Sequence, residues 1–247
     1  MADHLGYRQK FGVLGPSTNT IVQPDFDDLR TVGVTNHYSR IAIPNNPVND
    51  NESFLKLVDN INKATLDAID VLRTCEMDYM IMGMSAATFW NGREGAAQYI
   101  KMMEDRAQVK VSCGSFGTEA ALNLYKAKRI AFLSPYFEVA NKEVRRFYSD
   151  CGFTVVRDIC LERPSPVQIA HTTDEICRQT LKKLDGDDVD AIVQVGTNLS
   201  MIRLAAAAEV FLGKPVIAIN TATYWHALRA QGINDKVAGF GNLMECH

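Results

Sequence analysis

Along the chain, short apolar runs alternate with longer stretches in which apolar positions return every three or four residues. The runs at 11–15, 38–43, 79–84, 109–113, 130–133, 154–160, 191–195 and 216–219 are rich in β-branched or aromatic residues. Gly, Pro, Ser or Asn bounds most of them, so they predict strands. The stretches at 52–73, 92–106, 118–126, 138–150, 174–184, 200–212 and 223–231 predict helices. Strands that alternate with helices build βαβ units and a mostly parallel sheet buried on both faces. The predicted fold class is α/β.

The pattern also repeats. Residues 10–16 (KFGVLGP) resemble 129–135 (RIAFLSP), 119 positions later, and 78–85 (DYMIMGMS) resemble 190–197 (DAIVQVGT), 112 positions later. Residues 110–115 (KVSCGS) resemble 216–221 (VIAINT) at a spacing of 106. Three blocks in the same order in both halves predict an internal duplication. The expected molecule has two similar lobes facing each other: 1–115 with part of 220–247 in one, and 116–219 in the other.

In parallel sheets, ligands bind beyond the carboxyl ends of the strands. The residues after each repeated strand should therefore meet in one cleft. They include Ser17 and Asn19, Ser85 and Ala86, Tyr136, Thr197 and Asn198, and Thr221. These positions offer hydroxyls, amides and free backbone N–H groups, with hardly a charge among them. Such a lining suits a small carboxylate, because neutral donors and helix N-termini favour an anion.

Composition narrows the function classes. The 247 residues carry 26 Lys+Arg against 29 Asp+Glu, a net charge of −3, which lacks the basic excess of an electrostatic nucleic-acid binder. No apolar run approaches a membrane span of roughly 20 residues, and the first ten residues hold no apolar leader core, so the chain reads as cytoplasmic. The six cysteines form no C-x-x-C pair and the five histidines no H-x-x-x-H pair, so neither a metal nor another cofactor is expected. A small carboxylate is the expected partner, with a homodimer as the assembly to test.

The same loops resemble the aspartate/glutamate racemase superfamily, in its arylmalonate decarboxylase and maleate cis–trans isomerase branch. The marks are GPSTNT at 15–20, GMSAATFW at 83–90, SPY at 134–136, GTNL at 196–199 and GKPV at 213–216, spread over nearly the whole chain. The resemblance implies two pseudo-symmetric lobes, a cofactor-free site between them, and chemistry at a carbon beside a carboxylate. It also implies that Asn19 and Tyr136 contact substrate, and that Ser85 and Thr197 stand on or next to the two catalytic positions.

In the racemases and isomerases those two positions are cysteines, and here neither is. A thiol can be tuned to exchange protons or add to a double bond near neutral pH, whereas a hydroxyl needs an adjacent base to do so. Isomerisation or decarboxylation through an enediolate-like anion held by neutral donors is the leading expectation. A hydrolase or lyase using Ser85 or Thr197 on a cyclic amide or imide, and a carboxylate-binding protein without catalysis, are the alternatives.

Each candidate also has a plainer reading. Ser85 fits a helix cap, Thr197 and Asn198 fit any strand-to-helix turn, and Tyr136 fits a ring that covers the cleft. His226, His171 and Cys113 fit satisfied or buried side chains, Phe89 and Trp90 fit the core, and residues 239–247 fit a loosely packed tail.

Overall fold

The structure, a computed structural model, describes residues 3–247. Its first half holds β1 (Gln9–Pro16), α1 (Val22–Asp28), β2 (Val34–Ile41), α2 (Asn51–Arg73), β3 (Tyr79–Met82), α3 (Gly92–Ala107), β4 (Val111–Cys113) and α4 (Gly114–Leu124). The second holds β5 (Arg129–Ser134), α5 (Glu138–Asp150), β6 (Thr154–Cys160), α6 (Asp174–Leu184), β7 (Ala191–Gln194), α7 (Ile202–Leu212), β8 (Val216–Ala218), α8 (Ile219–Ala230) and α9 (Asn242–Cys246). Single 3₁₀ segments follow β3 (Ala86–Phe89) and β6 (Val167–His171).

Two four-stranded parallel sheets result, ordered β2-β1-β3-β4 and β6-β5-β7-β8. The second order repeats the first with each strand replaced by its mate, as the duplicated blocks require. Small polar contacts repeat as well. Asp78 accepts from the Lys10 N–H at 2.8 Å at the foot of β1, and Asp190 accepts from the Arg129 N–H at 2.8 Å at the foot of β5. Gly12 pairs with Met80, and Ala131 with Ile192, so the first two blocks keep their spacings of 119 and 112.

The third block slips by one residue. Met80 pairs with Val111, and its mate Ile192 with Val216, which makes the spacing 105 rather than 106. A one-residue slip exchanges the two faces of a strand, so it changes which side chains are equivalent.

The lobes join through α4 and α8. A Cβ on Gly117 would stand 2.8 Å from the Ala222 carbonyl oxygen, and one on Gly114 would stand 2.6 Å from Ile219. These two glycines let the helices meet nearly backbone to backbone.

Several elements depart from expectation. Both α4 and α8 start directly after their strands, earlier than their Gly-, Ser- and Asn-bearing first turns indicate. β2 begins at Val34, four residues early, because edge pairing with β1 carries the polar segment 34–37 into the sheet. α1 was not among the expected helices; Pro24 stands in its first turn, where N–H groups need no intrahelical acceptor. The tail is not loose: α9 buries Leu243 and Met244.

Candidate active site

One cleft lies at the carboxyl ends of β1, β3, β5 and β7, between the sheets, with a volume of about 60 Å³. One water needs roughly 15 Å³ of such space, so the cleft admits a small molecule of several heavy atoms. Its polar wall comes from the strand ends: Thr18, Asn19, Ser85, Tyr136, Thr197 and Asn198. Facing it, α2 contributes Phe54, Leu57, Val58 and Ile61, with Ile43 and Ile169 beside them. Among the described residues, no Asp, Glu, Lys, Arg, His or Cys lines it.

Ser85 follows β3 and makes no side-chain cap to the 3₁₀ turn it precedes. Its Oγ instead lies 2.7 Å from the Tyr136 Oη, which follows β5 in the other lobe. Thr197 follows β7, and its Oγ1 accepts from Asn19 Nδ2 at 3.1 Å, again across the lobes. Asn19 is held rigidly, because its Oδ1 accepts from the N–H groups of Ile21 and Val22, both at 2.9 Å, at the start of α1. Each strand-end hydroxyl is thus fixed by a residue that follows the first strand of the opposite lobe.

The hydrogens can be counted. Thr197 accepts from Asn19, so its own O–H remains to donate. Ser85 and Tyr136 share one hydrogen between two hydroxyls, which leaves one O–H for a ligand. Burial pushes the Tyr136 phenol far above its ordinary range, and the Ser85 contact pulls it back in part. The phenol is therefore protonated throughout the neutral range.

The other expected site residues divide. Ala86 lines the cleft at the start of its 3₁₀ turn. Asn198 lines it too, but its amide ties loops together: its Oδ1 accepts from the Thr20 N–H at 3.0 Å and its Nδ2 donates to the Pro166 carbonyl at 2.8 Å. Ser17 lies outside the cleft, because its Oγ is clamped to the backbone of Ile43, accepting from its N–H and donating to its carbonyl. Thr221 also lies outside, buried in the first turn of α8, where its hydroxyl meets no partner among the described residues. Thr221 follows the edge strand β8, whereas the cleft opens at the ends of β1, β3, β5 and β7, and neither Ser115 nor its mate Asn220 lines it.

Asn220 itself donates to the Thr197 carbonyl at 3.0 Å and to the buried Asp25 carboxyl at 2.7 Å. Burial pushes Asp25 up to about 7, opposed by the Asn220 hydrogen bond. Neither Asp25 nor the α2 stripe stood out in the sequence, where Phe54, Val58 and Ile61 look like any buried helix face. The remaining candidates take their plainer readings. His226 is bound to Ser112 at 2.7 Å, Cys113 is fully buried with its thiol pushed up by burial, and Phe89 packs on Phe147 and Tyr148.

The arylmalonate decarboxylase family model matches residues 48–244. The chain belongs to that family. Maleate isomerases are also similar: that of Pseudomonas putida is 26% identical over 246 residues, spanning 95% of this chain and 96% of the relative. That of Alcaligenes faecalis is 22% identical over 247 residues, with 95% and 96% covered. Among solved structures, a Nocardia farcinica maleate cis–trans isomerase mutant with a covalently bound succinylcysteine intermediate superposes with a TM-score of 0.87 at 19% identity, covering 97% of this chain and 99% of that one. A liganded double mutant of arylmalonate decarboxylase gives 0.78 at 17% identity, covering 96% and 98%. These structures share the two-lobed α/β fold of this member of the decarboxylase family.

Proposed function

We propose that this chain is a cofactor-independent decarboxylase of a small, malonate-type dicarboxylate, and that the hydroxyls of Ser85, Tyr136 and Thr197 carry the reaction. The observation that carries this is the pair of strand-end hydroxyls, each fixed from the opposite lobe and each side left with an O–H for a ligand.

The requirements of the family's reactions differ. Isomerising maleate by addition needs a nucleophile, and racemisation needs a base. A neutral hydroxyl is neither without a base beside it, and no basic side chain among the described residues lines this cleft. Decarboxylation needs only stabilisation of the developing anion and a proton donor afterwards. The C–C bond breaks, carbon dioxide leaves, and its bonding pair becomes the enediolate of the remaining carboxylate.

That enediolate is held by the free Thr197 O–H among neutral donors on a buried polar wall, where hydrogen bonds are worth more than in water. Ser85 then donates its proton to the α-carbon and regains one from Tyr136, which water reprotonates. The apolar α2 wall disfavours a charged carboxylate beside it, so leaving as neutral carbon dioxide is favoured there. A hydrolase would need a general base, and among the described residues none lines the cleft beside Ser85 or Thr197.

The test is proton NMR in D₂O with methylmalonate, phenylmalonate and maleate. The account expects carbon dioxide loss with one deuterium at the α-carbon of a malonate, and maleate left unchanged. Conversion of maleate to fumarate would overturn the choice of reaction. Saturable thermal stabilisation by these anions with no product from any would make the chain a carboxylate-binding protein.

A further inference from the structure

The duplication supplies an internal control for how each strand-end turn is held. Ser85 and Thr197 are mates at the spacing of 112, and so are Thr88 and Ser200. The Ser85 carbonyl is secured inside its own turn, where it accepts from the Thr88 N–H at 3.0 Å and from the Thr88 Oγ1 at 2.9 Å. Ser200 is exposed, and among the described residues no 3₁₀ segment follows β7. The Thr197 carbonyl is instead reached from outside: among the described residues it accepts from Asn220 Nδ2 alone, at 3.0 Å.

Asn220 stands buried in the first turn of α8. The hydrogens of its Nδ2 go to two acceptors, the Thr197 carbonyl and, at 2.7 Å, the Asp25 carboxyl. Its Oδ1 meets no partner among the described residues. The two acceptors set the orientation of this amide, because the reverse one would place oxygen against oxygen at both. Asp25 offers Nδ2 an acceptor oxygen whether or not its carboxyl carries a proton.

Asp25 lies on α1, whose opening N–H groups are bound by Asn19. The same short segment therefore meets Thr197 twice. Asn19 binds its Oγ1 at 3.1 Å, and Asp25 reaches its carbonyl through Asn220. A trans peptide is planar, so the Asn198 N–H points away from the carbonyl that Asn220 holds. Asn198 lines the cleft, and its N–H meets no backbone acceptor among the described residues.

We infer that Asp25 and Asn220 are positioning residues of the cleft: Asp25 orients the Asn220 amide, and Asn220 fixes the peptide that presents the Thr197 O–H and the Asn198 N–H to an anion. Neither residue lines the cleft, so both act through that peptide. Their effect on turnover rests on the decarboxylase reading, whereas their hold on the peptide does not.

The test compares Asp25→Ala, which removes the acceptor, with Asp25→Asn, which keeps one, by amide NMR and by steady-state kinetics on a substituted malonate. The Asn198 amide resonance is expected to move in Asp25→Ala and to return in Asp25→Asn. That of its mate Ala86, in the turn secured by Thr88, should stay in place in both. Asp25→Ala is expected to lower kcat by up to roughly 10²-fold, the cost of a small misplacement, with KM little changed. Asp25→Asn should restore kcat, and Asp25→Ala should add little to the loss caused by Thr197→Val. If Asp25→Ala does not fold, Asn220→Ser, which carries the residue of its mate Ser115, replaces it with the same shift and the same loss expected. An Asn198 resonance that stays in place, an Asp25→Asn chain as slow as Asp25→Ala, or a loss that adds in full to that of Thr197→Val overturns the inference. A parent chain that converts no malonate overturns the decarboxylase reading instead, and the amide resonances then decide the inference by themselves.

Discussion

Ser85 Oγ and Tyr136 Oη lie 2.7 Å apart although they belong to different lobes, and the Asn19–Thr197 contact at 3.1 Å repeats that relation in the opposite sense. The site therefore exists only when the lobes are assembled. Its two halves differ in one respect: one hydroxyl is backed by a phenol that holds a proton, the other by an amide that holds position.

If Tyr136 supplies the proton that Ser85 delivers, removing either breaks the same relay. Ser85→Ala and Tyr136→Phe are each expected to lower kcat by roughly 10²–10⁴-fold, the range for a lost acid–base group. The double variant should be little worse than the poorer single one. Steady-state kinetics on a substituted malonate check this, and additive losses would separate the two residues.

Thr197→Val keeps the shape and removes the hydroxyl. Asn19 Nδ2 then points at a methyl group while buried, which costs about 1–3 kcal/mol of stability. Urea unfolding should show that loss. Thr197→Ser should restore both stability and turnover, because the acceptor and the free O–H return.

Asp25 makes stability depend on pH. Its carboxyl is pushed up to about 7 by burial from an ordinary value of 3.8, so between those values the folded state holds a proton that the unfolded state has released. Stability must then fall as pH rises through that window. At 1.36 kcal/mol per unit the full effect is on the order of 4 kcal/mol. Unfolding curves from pH 4 to 8 should show the decline, and Asp25→Asn should flatten it.

Phe54 meets the Tyr136 ring edge to face at 5.4 Å and forms part of the apolar wall. Phe54→Ala should widen the cleft toward bulkier α-substituents and loosen the tyrosine. The expected signature in competition kinetics is a shift of preference from methyl- toward phenylmalonate, with a lower kcat for both.

The strands, most helices and the two-lobed plan were legible because a parallel strand buried on both faces is a continuous apolar run with polar ends. That Asn19, Ser85, Tyr136 and Thr197 line the cleft was legible because they follow repeated strands, at the carboxyl ends of a parallel sheet. Ser17 was misplaced because neighbours in a turn point in different directions, and only Thr18 and Asn19 face the cleft. Thr221 falls outside the cleft because it follows the edge strand β8, and a strand's place in the sheet is not written in its apolar composition. The α2 wall was hidden because a stripe lining a cavity and a stripe packing a core have the same spacing.

The most direct test follows turnover of a substituted malonate in D₂O by NMR, before and after exhaustive alkylation with iodoacetamide. Cys246 is exposed, Cys75, Cys151 and Cys160 are partly so, and among the described residues no cysteine lines the cleft. The account predicts a product with one deuterium at its α-carbon, formed at the same rate in both samples. Loss of turnover on alkylation would mean that a thiol carries the reaction, and would contradict the central claim.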